Sequence, residues 1–212
     1  MGCKAEDYIE LMYGRTSYSY ENINMSSKND GISLFGNKDN MGLNGFGLEQ
    51  VVGLPLSVSL PMYIETGLKF QAGWGKIKEE NLGYGEKCSV NLFRLNIPLR
   101  YIYHIRLAEN FKLAPYLGVD FRFNLASRGR YNFYQGDNVI ASERINYFSK
   151  DDMGDDRFNR FQFGWHVGLR FEMSFFDIFA MYCTDFTKLY NDKVSNEKIS
   201  TGNLAVGFGL TF

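Results

Sequence analysis

The chain is poor in several features on which other protein classes depend. No stretch of its 212 residues approaches 18 consecutive apolar side chains, which excludes a membrane-spanning helix. Cysteine is limited to Cys3, Cys88 and Cys183, odd in number and far apart, so neither a disulfide framework nor a zinc site is indicated. The formal net charge of -1 leaves no basic footprint for nucleic acid. Only two histidines, His104 and His166, are available for acid–base chemistry. The start, Met1-Gly2-Cys3-Lys4, has no apolar signal region. An exported form is therefore expected to have lost its signal peptide, and Gly-Cys at this place resembles the cleaved end of a lipoprotein signal.

Aromatic residues make up 17% of the chain and glycine contributes 22 positions, against 4 prolines. Together with a mean hydropathy of -0.27, this suits a β protein whose strands are apolar on one face only. The last nine residues show the pattern. Leu204, Val206, Phe208, Leu210 and Phe212 alternate with Ala205, Gly207, Gly209 and Thr211, and alternate side chains point to opposite faces of a strand. Residues 62–74, 93–105, 116–125 and 160–173 repeat the alternation. Weaker segments near 7–20, 43–54 and 178–188, whose phase the sequence leaves open, bring the count to eight strands. A tilted membrane strand needs about 9–11 residues. The connections alternate between long polar ones (near 21–42, 76–90, 127–157 and 189–198) and short ones (55–61, 107–110 and 174–177). Long loops on one rim and tight turns on the other are the mark of an outer-membrane barrel. An even strand count puts both termini on the short-turn, periplasmic side. Residues 1–212 are read as one domain, with 1–6 a short periplasmic segment.

Periodicity alone does not say which face is outside. A soluble barrel of the lipocalin kind, with its apolar face around a small ligand, is the rival reading. Glycines on the polar face, at Gly67, Gly118, Gly164, Gly168 and Gly207 among others, make room in a narrow lumen and have no use on a solvated surface. The apolar face repeats Phe, Trp and Leu beyond what a small closed interior could pack. Aromatics near strand ends, Trp74 on one rim and Tyr101, Tyr103 and Phe212 on the other, fit interfacial girdles. The expectation is lipid outside, met by Leu68, Phe70, Trp74, Leu95, Ile97, Phe121, Phe163, Trp165, Leu169 and Phe208. The lumen would then carry Glu65, Lys69, Arg94, Arg100, Asp120, Arg122, Arg160, His166, Arg170 and Glu172. Buried charges need partners, so an Arg–carboxylate network is expected, hydrogen-bonded to Gln71, Asn96, Asn124 and Gln162, plugging an axis that eight strands leave just wide enough for side chains. Its basic excess would favour anions in any residual pore.

Short motifs carry a resemblance. Tyr63-Ile64-Glu65-Thr66-Gly67-Leu68, Leu95-Asn96-Ile97-Pro98-Leu99-Arg100-Tyr101 and Ala114-Pro115-Tyr116-Leu117-Gly118 resemble small outer-membrane barrels of the PorT-like, or outer membrane protein beta-barrel domain, kind common in Bacteroidetes. The terminal Phe208, Leu210 and Phe212 resemble the signal read by the barrel assembly machinery. The resemblance implies an integral outer-membrane protein and no particular activity.

No nucleophile, zinc or phosphate-loop motif is present. His166 lies mid-strand on the lumenal face and His104 near the turn rim, so both read as hydrogen-bonded structural histidines. The run Asp151-Asp152-Met153-Gly154-Asp155-Asp156 lacks the ligand spacing of a calcium loop and reads as a solvated acidic loop. Asn24-Met25-Ser26 matches a glycosylation sequon that means little in a bacterium. Arg128, Arg130 and Arg144 could meet lipopolysaccharide phosphates. The chain is thus read as an eight-stranded antiparallel up-and-down outer-membrane barrel with no cofactor, metal or catalytic residues and a structural or interaction role. Its partners would be outer-membrane lipid, lipopolysaccharide at the loops, or another membrane protein. The alternatives are the soluble ligand carrier and a membrane-embedded lipid-modifying enzyme using His166.

Overall fold

A computed structural model describes residues 6–21, 42–56, 60–81, 84–148, 158–191 and 198–212. The acidic run 151–156, the sequon at 24–26, Cys3 and most of the expected loops 21–42 and 189–198 lie outside the described residues. The strands are β1 (Glu6–Glu21), β2 (Gly42–Pro55), β3 (Met62–Asn81), β4 (Tyr84–Tyr103), β5 (Ile105–Ala108), β6 (Phe111–Gln135), β7 (Asn138–Asn146), β8 (Phe161–Met173), β9 (Phe176–Asp185), β10 (Tyr190–Asn191) and β11 (Lys198–Thr211). Eight long ones follow one another around a ring, β1-β2-β3-β4-β6-β8-β9-β11. β11 pairs back onto β1, from Tyr8↔Thr211 to Glu21↔Lys198. Every pairing is antiparallel. A circuit without free edges satisfies each backbone N–H and C=O internally, as hydrocarbon requires.

Period-two patterning sets which face is which. Leu68, Phe70, Trp74, Phe121, Leu169 and Phe208 are exposed on the outside, while Lys69, Arg100, Asp120 and Arg170 are buried inside the ring. The rings of Phe163 and Trp165 lie on the outer face beside Phe186 and Tyr182. A soluble carrier would show the reverse, so the structure removes that alternative. The outer apolar run is Ile64 to Trp74 on β3 and Pro115 to Leu125 on β6, eleven residues each, the length of a tilted membrane strand.

The phases of the two weak N-terminal strands are now defined. Tyr8, Glu10 and Met12 face inward from β1 and Ile9, Leu11 and Tyr13 outward; Glu49 and Val51 face inward from β2 and Phe46, Leu48 and Val52 outward. Two connections expected as polar loops are instead strand. β3 and β4 run on through 76–90 to a connection at 82–83, and β6 continues to Gln135 and folds back as β7. Apolar alternation marks only the part of a strand that meets lipid, whereas ladder hydrogen bonds continue into water with polar residues on the outer face. At the tip of that second hairpin Gly136 has φ 59°, which a residue with a Cβ rarely adopts.

One irregularity re-aims a strand. Opposite β4, Arg94 pairs with Asn124 but Phe93 pairs with Ala126, so Leu125 is an extra residue. This β-bulge inverts the parity of β6: Tyr116, Asp120, Arg122 and Asn124 are buried below it, Ser127 and Tyr131 above it. Bulges shift side chains to the other face in this way.

Two results are expected. Leu169→Arg puts a charge on the lipid face near mid-strand, at a cost of about 2–4 kcal/mol. It should abolish heat-modifiable gel migration and membrane insertion. Cys88, in the extension beyond the apolar band, is buried, and burial pushes its thiol up to about 12. In a Cys3→Ser background the folded protein should resist maleimide at neutral pH, and urea should expose two reactive thiols.

Candidate functional site in the barrel interior

The inward faces of all eight ring strands meet on the barrel axis. At the turn rim, His104 Nε2 lies 3.2 Å from Glu172 Oε1, Lys112 Nζ lies 3.1 Å from Glu172 Oε2, and Tyr63 stacks on the His104 ring at 4.7 Å. Above them sit two arginines. Arg100 Nη2 donates to both oxygens of Glu49, at 2.6 and 2.7 Å, and its Nη1 reaches Glu10 at 3.4 Å. Arg170 Nη1 donates to Glu65 at 2.9 Å; its Nη2 donates to Glu10 at 2.9 Å and to the Tyr8 hydroxyl. Asp177 lies 3.8 Å from Arg170 Nε. The Tyr8 ring packs against the Arg170 guanidinium at 4.3 Å, and Tyr116 faces both guanidinia. Tyr116 can fill this place because Gly168 has no side chain; a Cβ there would collide with its ring. Lys69 Nζ joins the layer 3.5 Å from Glu49.

A third layer is centred on Asp120 and Asp185. Arg122 donates to Asp120 at 2.8 Å and also to Asp185. His166 Nδ1 lies 3.0 Å from Asp120, Thr201 donates to Asp185, and so does Gln162 Nε2, at 2.8 Å. Asn124 donates to Gln162 at 2.9 Å and accepts from Arg94 Nε at 2.8 Å, and Asn96 donates to Gln71 at 2.8 Å. Towards the outer rim the interior turns apolar. Leu43, Val90, Leu92, Tyr131, Tyr147, Phe148, Phe158, Leu189 and Ile199 form one buried cluster, in which Tyr147 and Phe158 stack at 4.9 Å with 13° between their planes. Between this cluster and the polar layers lies a cavity of ≈ 20 Å³, bordered by Thr16, Gln71, Arg94 and Asn203, which has room for about one water.

Among the expected lumenal residues, Glu65, Lys69, Arg94, Arg100, Asp120, Arg122, His166 and Arg170 are inside, and Glu172 is part-buried at the turn rim. Arg160 is not with them. β8 begins only at Phe161; Arg160 precedes the strand and its alternation, is exposed, and lies over the Phe148 ring at 5.1 Å. Four interior carboxylates escaped the sequence reading: Glu10 and Glu49 on the two strands of undefined phase, Asp177 in what read as a turn, and Asp185 in the third weak segment. They remove the expected basic excess. Charge balance was the available signal, since arginines in a low-dielectric interior require carboxylates. The two histidines are both enclosed. His166 is completely buried, and His104 is at the opposite end from the outer rim.

A closed antiparallel ring with an apolar exterior of membrane height and charges turned inward defines an integral outer-membrane β-barrel. Residues 13–191 match the outer membrane protein beta-barrel domain family, and the chain belongs to that family. Three solved structures that it is similar to are distant in sequence. The attachment invasion locus protein Ail of Yersinia pestis, in complex with the heparin analogue sucrose octasulfate, is 15% identical with a TM-score of 0.49, covering 99% of this chain and 100% of that one. Neisserial surface protein A is 14% identical with a TM-score of 0.48, covering 99% of each chain. The outer membrane protein OprG from Pseudomonas aeruginosa is 15% identical with a TM-score of 0.43, covering 100% of this chain and 98% of that one. No curated protein matches the chain.

Because Arg100 serves both Glu49 and Glu10, Arg100→Met should leave Glu49 with only the longer contact to Lys69, and Glu10 with Arg170 alone, among the described residues. A loss of about 3–5 kcal/mol is expected, read as a lower urea midpoint for unfolding from detergent micelles.

Proposed function

We propose that this barrel carries no solute and acts through contacts, its interior plugged by the three polar layers and the aromatic cluster above them. What supports this reading is the succession of ion pairs, hydrogen bonds and packed rings along the axis, from Glu172 at the turn rim to the Tyr147–Phe158 stack near the outer rim. Ion pairs held by several hydrogen bonds each do not part for a passing ion without leaving charges uncompensated.

What remains to act is the outer extension. β3, β4, β6 and β7 continue past the apolar band as a four-stranded sheet, and β7 pairs only with β6 among the described residues. Among the described residues no strand pairs with its other edge, which lies beside the exposed Val139 and Ile140, a surface suited to a partner strand. A structural or interaction role at the cell surface or within the membrane plane follows, without catalytic chemistry. The short motifs at 63–68, 95–101 and 114–118 favour kinship with PorT-like members, and the exposed Phe208, Leu210 and Phe212 suit recognition by the assembly machinery during insertion.

Planar-bilayer recording tests the plug. The wild-type protein should give no conductance steps, and steady channel openings from correctly folded protein would refute the reading. The edge is tested separately by purification from native membrane. Ile140→Pro, which removes a backbone donor from β7, should lose a partner that the wild type retains.

A further inference from the structure

The outer face of the extension carries a basic field whose composition follows from strand register. Residues directly opposite on paired strands share a face. The pairings Lys76↔Ser89, Ser89↔Arg130 and Arg130↔Arg144 therefore make one row across β3, β4, β6 and β7. The row next towards the membrane is Trp74, Asn91, Arg128 and Asn146. On the far side, Lys87 pairs with Asn132, and Asn132 with Ser142. Lys76, Lys87, Arg128, Arg130 and Arg144 are exposed, and none has an ion-pair partner among the described residues.

Two features show that this field is built. Arg130 and Arg144 are directly opposed, and like charges so placed destabilise a sheet unless an anion lies between them. The bulge at Leu125 is what turns Arg128 and Arg130 outward. With the parity of Arg122 and Asn124 continued, both would point into the barrel. Instead they emerge at the upper border of the lipid-facing band, just past Leu125, Phe93 and Trp74, all exposed. Strands are about 4.8 Å apart and successive same-face residues about 6.8 Å, so Arg130, Arg144 and Arg128 can close on a single tetrahedral anion. Guanidinium groups bind phosphate in bidentate fashion.

We propose that this face binds the phosphate groups of an outer-leaflet phosphoglycolipid, with Arg130 and Arg144 as the central pair, Arg128 and Lys76 beside them, and Trp74 at the acyl-chain border. The site rests on the outer-membrane placement of the barrel and is independent of whether the lumen conducts. Continuity with the lipid-facing band selects a membrane lipid over a soluble anion, since the ligand's chains would lie on the apolar surface directly below.

The test reconstitutes the full chain in phosphatidylcholine nanodiscs with either diphosphorylated lipid A or the same lipid stripped of phosphate, and measures the lipid retained after re-extraction into mild detergent. The wild type should favour the phosphorylated lipid by about tenfold. Arg130→Gln/Arg144→Gln should retain both lipids alike while keeping heat-modifiable migration, which separates loss of the site from loss of the barrel. Arg106→Gln, at the opposite rim, should behave as wild type. Equal retention of the two lipids by the wild type would overturn the proposal, as would an unchanged preference in the double variant. Tighter binding of sucrose octasulfate than of the lipid through the same two arginines would assign the field to a soluble polyanion and overturn it as well.

Discussion

Charge neutralisation inside a ring only eight strands wide is the constraint on which the other features rest. Arg100, Arg170 and Arg122 are buried to within a few per cent of their surface, where an unpaired charge costs several kcal/mol. Each touches more than one acceptor: Glu49 and Glu10 for Arg100, Glu65, Glu10 and Tyr8 for Arg170, Asp120 and Asp185 for Arg122. The carboxylates come from β1, β2, β3, β6 and β9, so the pairs tie together strands that are not neighbours in the ring. A barrel in lipid gains little from its outer apolar face against the membrane-embedded unfolded chain. Contacts across the axis are where its interior can hold the strands in register.

The same constraint orders the interior along its length. Ionic groups occupy the zone encircled by the apolar band, where exterior and interior are reversed relative to a soluble protein. Near the outer rim the interior becomes aromatic instead, with Tyr147, Phe158 and Phe148 gathered against Leu43, Val90 and Leu189. There the exterior turns polar and basic. The two faces exchange character at one level of the barrel, and the extra residue Leu125 lies at that level on β6. The bulge thus serves both faces. It moves Arg128 and Arg130 to the exterior and lets Tyr131 turn inward against Tyr147.

Much of the architecture was legible residue by residue. The alternation in 62–74, 160–173 and 204–212 identified strands, the glycines of the polar face marked a narrow lumen, and most lumenal residues could be named. Where the apolar and polar faces were less distinct, as in 7–20 and 43–54, phase was lost, and Glu10 and Glu49 with it. Where strands left the lipid, as in 76–81 and 126–135, the alternation of apolar side chains ended although the hydrogen-bonded ladder did not, so strand read as loop.

Sequence by itself determined the fold class and the direction of the faces, because a period of two and a bias of large apolar against small and charged residues are local properties that each strand states independently. Only the tertiary structure decided which carboxylate answers which arginine, where Leu125 breaks the parity, and that Arg130 stands opposite Arg144. These depend on register, the relative shift of strands far apart in the chain, which is set by the closing of the ring as a whole.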